Sequence, residues 1–183
     1  MPTYVALLRG INVSGQKLIK MDALRASLEA AGLAEIRTYV QSGNAVFSAG
    51  KAPAAKLAGT IAARLLKDFG FSVPVIVRTA AELAQVARGN PLMKLNSIDP
   101  SKLHVTFLAS APARAAEDLL QRLAVPSERF QVLGQEVYLH CPDGYGRTRL
   151  SNTALEKALG VGATTRNWNT VQKLLAMAAG RGE

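Results

Sequence analysis

The order of apolar segments in the first 79 residues constrains the fold most strongly. Continuous apolar runs, which predict strands, alternate there with segments whose apolar residues have helical spacing. The predicted elements are a strand (Thr3–Ile11), a helix (Met21–Ala31), two strands (Ile36–Val40, Ala45–Phe47), a helix (Ala54–Phe69) and a strand (Val73–Val77). The order βαββαβ is typical of a ferredoxin-like unit.

The second half repeats this pattern in part. A short helix, opened by the capping box Thr79–Glu82 and ending near Gly89, comes first. The other predicted elements are a strand (Leu103–Leu108), a helix (Ala113–Leu123), two strands (Phe130–Leu133, Val137–His140) and two helices (Thr153–Leu159, Asn167–Ala178), with no final strand. We therefore predict an α+β fold of two related ferredoxin-like halves with antiparallel sheets, consistent with a duplication. The first half, 1–79, is βαββαβ. The second, 80–183, is a βαββ copy ending in helices.

Two of the predicted strands are apolar on both faces. In Val5–Leu8 and Val75–Val77 no polar residue alternates with the apolar ones. A sheet covered by helices on one face only should alternate. Either the second half or a partner chain must therefore cover the other face, and the sequence leaves a homo-oligomer open.

Composition indicates a globular cytoplasmic protein. Half of the chain is apolar (49%), which is too much for a disordered chain. No apolar run approaches the roughly 18 residues of a membrane span, so we expect no membrane association. The lone cysteine, Cys141, excludes an internal disulfide.

The chain carries a formal net charge of +9, spread over both halves. A field of this sign attracts nucleotides, phosphorylated metabolites or nucleic acid. The alternative is a solvated surface rich in arginine with no site attached to it.

Two polar clusters follow elements of the first half. They are Arg9-Gly10-Ile11-Asn12 and Gln41-Ser42-Gly43-Asn44. The first and third strands of a ferredoxin-like sheet are antiparallel neighbours, so the clusters should meet at one edge. An arginine fork among amide donors suits a phosphate or carboxylate. Alternatively, Asn12, Ser42 and Asn44 satisfy the backbone of their own turns.

Two further clusters lie in the second half. Arg147 and Arg149 occupy a glycine-spaced loop that could surround an anion with its amides. Arg166 and Asn167 precede the last helix, whose first amides could bind an anion. The neighbouring Trp168 lines either this site or the core.

Catalytic patterns are sparse. His104 and His140 fall on strands expected to be adjacent, which would allow acid–base chemistry. Strand histidines with satisfied hydrogen bonds are commoner, and Cys141 has no activating neighbour. No metal-ligand spacing is present, so we expect no metal and no cofactor. Whether the protein is an enzyme stays open.

Three motifs together resemble a bacterial family catalogued as domain of unknown function 1697. They are Leu7–Val13, Tyr39–Phe47 and Thr164–Val171, which follow one another in the family's order. The resemblance implies an α+β protein of two related halves. It maps shared family positions onto Arg9, Gly10, Asn12, Gln41, Ser42, Gly43, Asn44, Arg166, Asn167 and Trp168.

The chain departs from the family pattern at two places. Ser14 stands where a second glycine is usual, and Thr148-Arg149-Leu150 replaces a more familiar Ser-Lys-Leu. Both changes keep polarity or charge. The second matters only if that lysine titrates, a role that arginine cannot take.

The first functional hypothesis is binding of an anionic, phosphate-bearing small molecule at the Arg9/Asn12/Gln41/Asn44 edge, with Arg166 closing the site. The alternatives are a nucleic-acid-binding protein, a metal-independent enzyme of unspecified reaction, and a module that binds a protein partner through its sheet.

Overall fold

The computed structural model describes residues 1–180, which divide into two compact units. The first unit contains residues 1–85 and the segment from Lys173 onward, and the second contains residues 86–172. The sequence predicts the division after residue 79, whereas the first unit extends to residue 85. No helix among the described residues is long and apolar enough to cross a membrane.

The first unit has the expected order of elements. These are β1 (Thr3–Leu8), α1 (Met21–Ala30), β2 (Ala34–Tyr39), β3 (Asn44–Ser48), α2 (Ala54–Phe69) and β4 (Val75–Thr79), followed by α3 (Ala80–Arg88). The strands form an antiparallel sheet in the order β2-β3-β1-β4. The ferredoxin-like prediction is confirmed for this unit.

One face of this sheet packs against its two helices. Tyr4, Ala6 and Leu8 of β1 belong to a buried cluster that includes Leu57 and Ile61 of α2. These two helix positions are four residues apart, so they lie on one face of α2. The helix ends at Gly70, whose φ of 78° gives the left-handed cap that glycine adopts without steric cost.

The other face of the sheet is also buried. Val5 and Leu7 of β1 are both fully inaccessible to solvent within the single chain. Both apolar faces of β1 are therefore buried without a partner chain. The burial explains why β1 shows no polar alternation.

The second unit repeats the order of the first. Its elements are β5 (Leu103–Leu108), α4 (Ala116–Leu123), β6 (Arg129–Leu133), β7 (Glu136–His140), α5 (Asn152–Leu159) and β8 (Ala163–Asn167), followed by α6 (Trp168–Ala178). The sheet order is β6-β7-β5-β8, again antiparallel. Short 3-10 turns cover Pro91–Lys94, Pro100–Lys102 and Tyr145–Arg147.

The expectation of no final strand in the second half was wrong. β8 pairs with β5 along its whole length, and Thr165 lies opposite Thr106. Their hydroxyl oxygens are 2.7 Å apart and share a hydrogen bond. The strand has the sequence Ala-Thr-Thr-Arg-Asn. Because this sequence lacks the run of apolar residues that predicts a strand, only its pairing with β5 identifies it as one.

Replacing Gly43 by alanine should destabilise the first unit. Gly43 has a φ of 95°, and an added Cβ would lie 2.8 Å from the Cβ of Leu8. We expect Gly43→Ala to lower the free energy of unfolding by about 3 kcal/mol through backbone strain and overpacking. Urea unfolding measures this loss.

Gly10→Ala is the matched control. Gly10 also has a positive φ, of 74°, but no atom lies within 4 Å of the added Cβ. The expected loss is about 1 kcal/mol, from backbone strain alone. Equal losses for the two variants would contradict the close approach at Gly43.

Candidate functional site

The two polar clusters of the first unit lie side by side. Leu7 of β1 is the register partner of Asn44 in β3. The next residue, Leu8, donates its backbone N–H to the carbonyl oxygen of Gly43 at 2.8 Å. The antiparallel pairing therefore brings the segment after β1 against the β2–β3 hairpin, as the pattern predicted.

Asn12 joins three segments through its side chain. Its Nδ2 donates to the carbonyl oxygens of Gln41, at 2.8 Å, and Ile19, at 2.9 Å. Its Oδ1 accepts from the backbone N–H of Ile19 at 2.8 Å. Asn12 thus positions the loop, and its amide is occupied by backbone partners.

Asn44 has a similar architectural role in the hairpin. It is fully buried, and its Nδ2 donates to the carbonyl oxygen of Tyr39 at 3.0 Å and to Ser42 Oγ at 3.3 Å. Gln41 and Ser42 are exposed. The hydrogen bonds of both asparagines therefore fit the alternative interpretation, in which these side chains bond the backbone groups of turns.

An open groove lies beside this edge. It has a volume of about 510 Å³ and is lined by Arg9, Gly10, Val13, Ser14, Gln16, Lys17 and Pro74. Two of these described lining residues are cationic and none is acidic. This combination attracts anions.

The groove is held in place by bonds to the segment before β4. Arg9 donates its backbone N–H to the carbonyl oxygen of Pro74 at 2.9 Å, and Lys17 Nζ donates to that of Ser72 at 2.6 Å. Sequence reasoning missed Lys17. The signal was available, because Ser14-Gly15-Gln16-Lys17 is a polar insertion between two buried residues, Ile11 and Ile19.

The loop backbone is unusual. Asn12, Ser14 and Lys17 have φ values of 55°, 52° and 46°. The backbone of Gly10 and Gly15 is also left-handed, with φ values of 74° and 71°. Non-glycine residues in this region cost energy and concentrate at functional sites.

The glycine-spaced loop that carries Arg147 and Arg149 contains a short 3-10 turn. Arg147 ends a 3-10 turn, and both Arg147 and Arg149 are exposed. Within this turn, the Tyr145 ring stacks on His104 with ring centroids 4.9 Å apart. The turn that contains Arg147 therefore also carries an aromatic stack of its own unit.

Arg166 lies in β8 and not in a loop before the last helix. It is only 8% exposed, and its guanidinium donates to Thr164 Oγ1 at 2.8 Å and to the carbonyl oxygen of Thr165 at 2.9 Å. Burial lowers the pKa of Arg166 to about 10. The buried guanidinium is thus held by its own strand.

Asn167 caps α6. Its Oδ1 accepts the backbone N–H of Thr170 at 2.8 Å, which occupies one of the amides expected to bind an anion. Trp168 is buried, at 6% exposure. One amide of the helix start is therefore already bonded to a protein group, and the tryptophan belongs to the buried residues.

Sequence reasoning also missed Arg78 in β4. It is 5% exposed, and its register partner is Val5 of β1, just as the partner of Arg166 is Val105 of β5. Each unit therefore buries an arginine at the same position of its sheet. The signal in the sequence was a charged residue directly after the apolar Val75–Val77.

The two histidines do not form a pair. His104 lies opposite Leu139, whereas His140 lies opposite Leu103, so their side chains emerge on opposite faces of the sheet. Burial lowers the pKa of both. Burial also raises the pKa of the Cys141 thiol to about 11, which favours the unreactive thiol. The described residues contain no cluster of metal-ligating side chains.

Fold and site together define an α+β protein of two ferredoxin-like units with a cationic groove on the first. A family model described as "Protein of unknown function (DUF1697)" matches residues 1–138, so the chain belongs to that family. The fold is similar to that of the conserved bacterial protein SP0830 from Streptococcus pneumoniae. The two are 18% identical with a TM-score of 0.76, covering 97% of this chain and 98% of that one. No curated protein matches the chain.

Removing the Asn12 side chain should loosen the groove. Asn12→Ala leaves the Ile19 N–H and the carbonyl oxygens of Ile19 and Gln41 without these partners. We expect a loss of about 1–3 kcal/mol in the free energy of unfolding. Faster hydrogen exchange at the Ile19 amide should accompany it. Ser14→Ala, in the same loop, should leave both quantities nearly unchanged, and an equal effect of the two variants would refute the role of Asn12.

Acidification should destabilise the protein through its histidines. Their pKa values in the folded chain lie below the ordinary value of 6.5. The unfolded chain therefore binds more protons as the pH falls, and stability present above about pH 6.5 is lost below it. Urea unfolding between about pH 7 and 5.5 should show this decline, and His104→Gln should reduce it, with the remainder due to His140. NMR titration giving either histidine a pKa above 6.5 would contradict the prediction.

Proposed function

We propose that the protein binds a small phosphate-bearing anion in the groove beside Arg9 and Lys17. The observation that carries the proposal is the groove itself, which combines two cationic side chains with no acidic lining residue. A guanidinium can donate two parallel hydrogen bonds to phosphate oxygens, and an ammonium adds a compact positive charge. The chain's net charge of +9 strengthens the attraction.

The rigidity of the loop supports the same proposal. The side chain of Asn12 and the bond from the Arg9 backbone N–H to Pro74 hold the loop backbone, and the bond to Ser72 holds the Lys17 ammonium, before any ligand arrives. A preorganised site avoids much of the entropy cost of ordering side chains on binding. Gly10 allows close backbone approach, and the exposed Gln41 and Ser42 add polar groups at the same edge.

Binding is favoured over catalysis at this groove. Its described lining residues include no histidine or carboxylate, the commonest general bases, and no cysteine, and the Lys17 ammonium donates to the carbonyl oxygen of Ser72. The proposal uses residues of the first unit alone. Arg147, Arg149, Arg166, Asn167 and Trp168 therefore stay predicted site residues without a part in it.

Arg9→Ala should weaken binding of glycerol phosphate about 10-fold to 100-fold, because a charged hydrogen-bond donor is lost. Calorimetric titration at constant ionic strength measures this affinity. Arg122→Ala, an exposed arginine of α4, lowers the net charge equally and should leave affinity within about twofold. Equal effects of the two variants would reject the groove as the site.

A salt titration separates this function from nucleic-acid binding. Affinity for a short single-stranded RNA should fall steeply with salt if several phosphates are contacted, since each contact releases counterions. Under the proposed function, glycerol phosphate should saturate the protein with a shallower salt dependence. Tight RNA binding without saturable glycerol phosphate binding would favour the nucleic-acid alternative.

A further inference from the structure

The end of the first unit that carries the groove also exposes aliphatic side chains. Among the residues that the structure describes, nine large apolar side chains are exposed, and three of them are here: Val13 (55% exposed), Leu18 (67%) and Val40 (49%). Single exposed apolar residues are common and need no explanation. Here Val13 lines the cationic groove, Leu18 directly follows the lining residue Lys17, and Val40 precedes Gln41, whose carbonyl oxygen accepts from Asn12.

The hydrogen bonds of the Asn12 side chain bring together the chain neighbours of these three residues. Asn12 bonds to Ile19 and to Gln41. Val13 directly follows Asn12, Leu18 directly precedes Ile19, and Val40 directly precedes Gln41. The aliphatic groups, hereafter the apolar rim, are thus immediate chain neighbours of the three joined residues. Val13 in addition lines the groove with Arg9 and Lys17.

Val40 is held in this position against its conformational preference. Its φ of 49° lies in the left-handed region, which is a marked outlier for a β-branched residue. Nevertheless its side chain is half exposed, so burial does not offset all of this cost. Strain of this kind concentrates at ligand-binding sites.

The loop that carries Val13 and Leu18 has charge of one sign. From Arg9 to Lys20 the chain contains three cations, Arg9, Lys17 and Lys20, and no acidic residue. The groove's volume of about 510 Å³ is within the range of small-molecule sites. A ligand that matches both features carries an anionic group at one end and an apolar group beside it.

We propose that the ligand is a soluble amphipathic anion, a phosphate monoester whose phosphate binds at Arg9 and Lys17 and whose hydrocarbon group packs on the apolar rim. This inference rests on the proposed function and specifies its ligand class. Burial of hydrocarbon supplies affinity that a polar phosphate ester lacks, at about fourfold for each methylene fully removed from water.

The test compares hexyl phosphate with glycerol phosphate by calorimetry. The wild-type protein should bind hexyl phosphate at least about tenfold more tightly. The double variant Leu18→Gln/Val40→Thr, which spares the groove lining, should lose most of that preference while its affinity for glycerol phosphate changes less than about twofold. A matched control, Leu66→Gln/Leu133→Thr, changes two exposed leucines elsewhere and should keep the preference.

The outcomes distinguish this inference from the proposed function. Equal affinity for the two esters, both weakened by Arg9→Ala, would overturn the apolar rim as a ligand contact and leave phosphate binding intact. If neither ester binds, the proposed function fails, and the inference fails with it. Retention of the preference in the Leu18→Gln/Val40→Thr variant would also overturn it. Phosphatidylserine vesicles form a further arm, and binding to them without binding of hexyl phosphate would overturn the soluble ligand in favour of a membrane surface.

Discussion

The antiparallel pairing of β1 with β3 and β4 is the constraint on which the first unit depends. It places β1 in the interior of the sheet, where successive residues are buried on alternate faces. The same pairing sets the register of Leu7 against Asn44. Because the strand ends at Leu8, the next residues must leave the sheet beside the β2–β3 hairpin. The position of the candidate site is therefore a consequence of sheet register.

Asn12 converts that proximity into a defined site. Chain segments that leave a sheet side by side need not hold fixed positions, since their backbone groups can bond to water. The three bonds of Asn12 tie the loop to the hairpin and to its own far end. Asn12, one of the predicted ligand contacts, thus positions the loop through bonds to backbone groups. Arg9, Lys17 and Val13 line the groove beside this tie.

The two units share a topology but differ in what they present. Each has the same strand order and buries one arginine at the corresponding position of its last strand. The first unit has a cationic groove after β1. The second instead has a polar contact between β5 and β8, where Thr106 bonds to Thr165 and Thr165 donates to Asn152. Similar sheets therefore support different local chemistry.

The sequence by itself determined the elements whose signal is local. Apolar spacing defined α2, a glycine marked its end, and the order of elements predicted a ferredoxin-like fold and the meeting of the two clusters. Tertiary structure alone decided the strand identity of β8, the burial of Arg78 and the occupation of the Asn12 amide. These depend on hydrogen bonds between residues distant in the chain, and neither hydrophobic periodicity nor turn propensity records such partners. A polar strand and a buried arginine become recognisable only when their partners are in place.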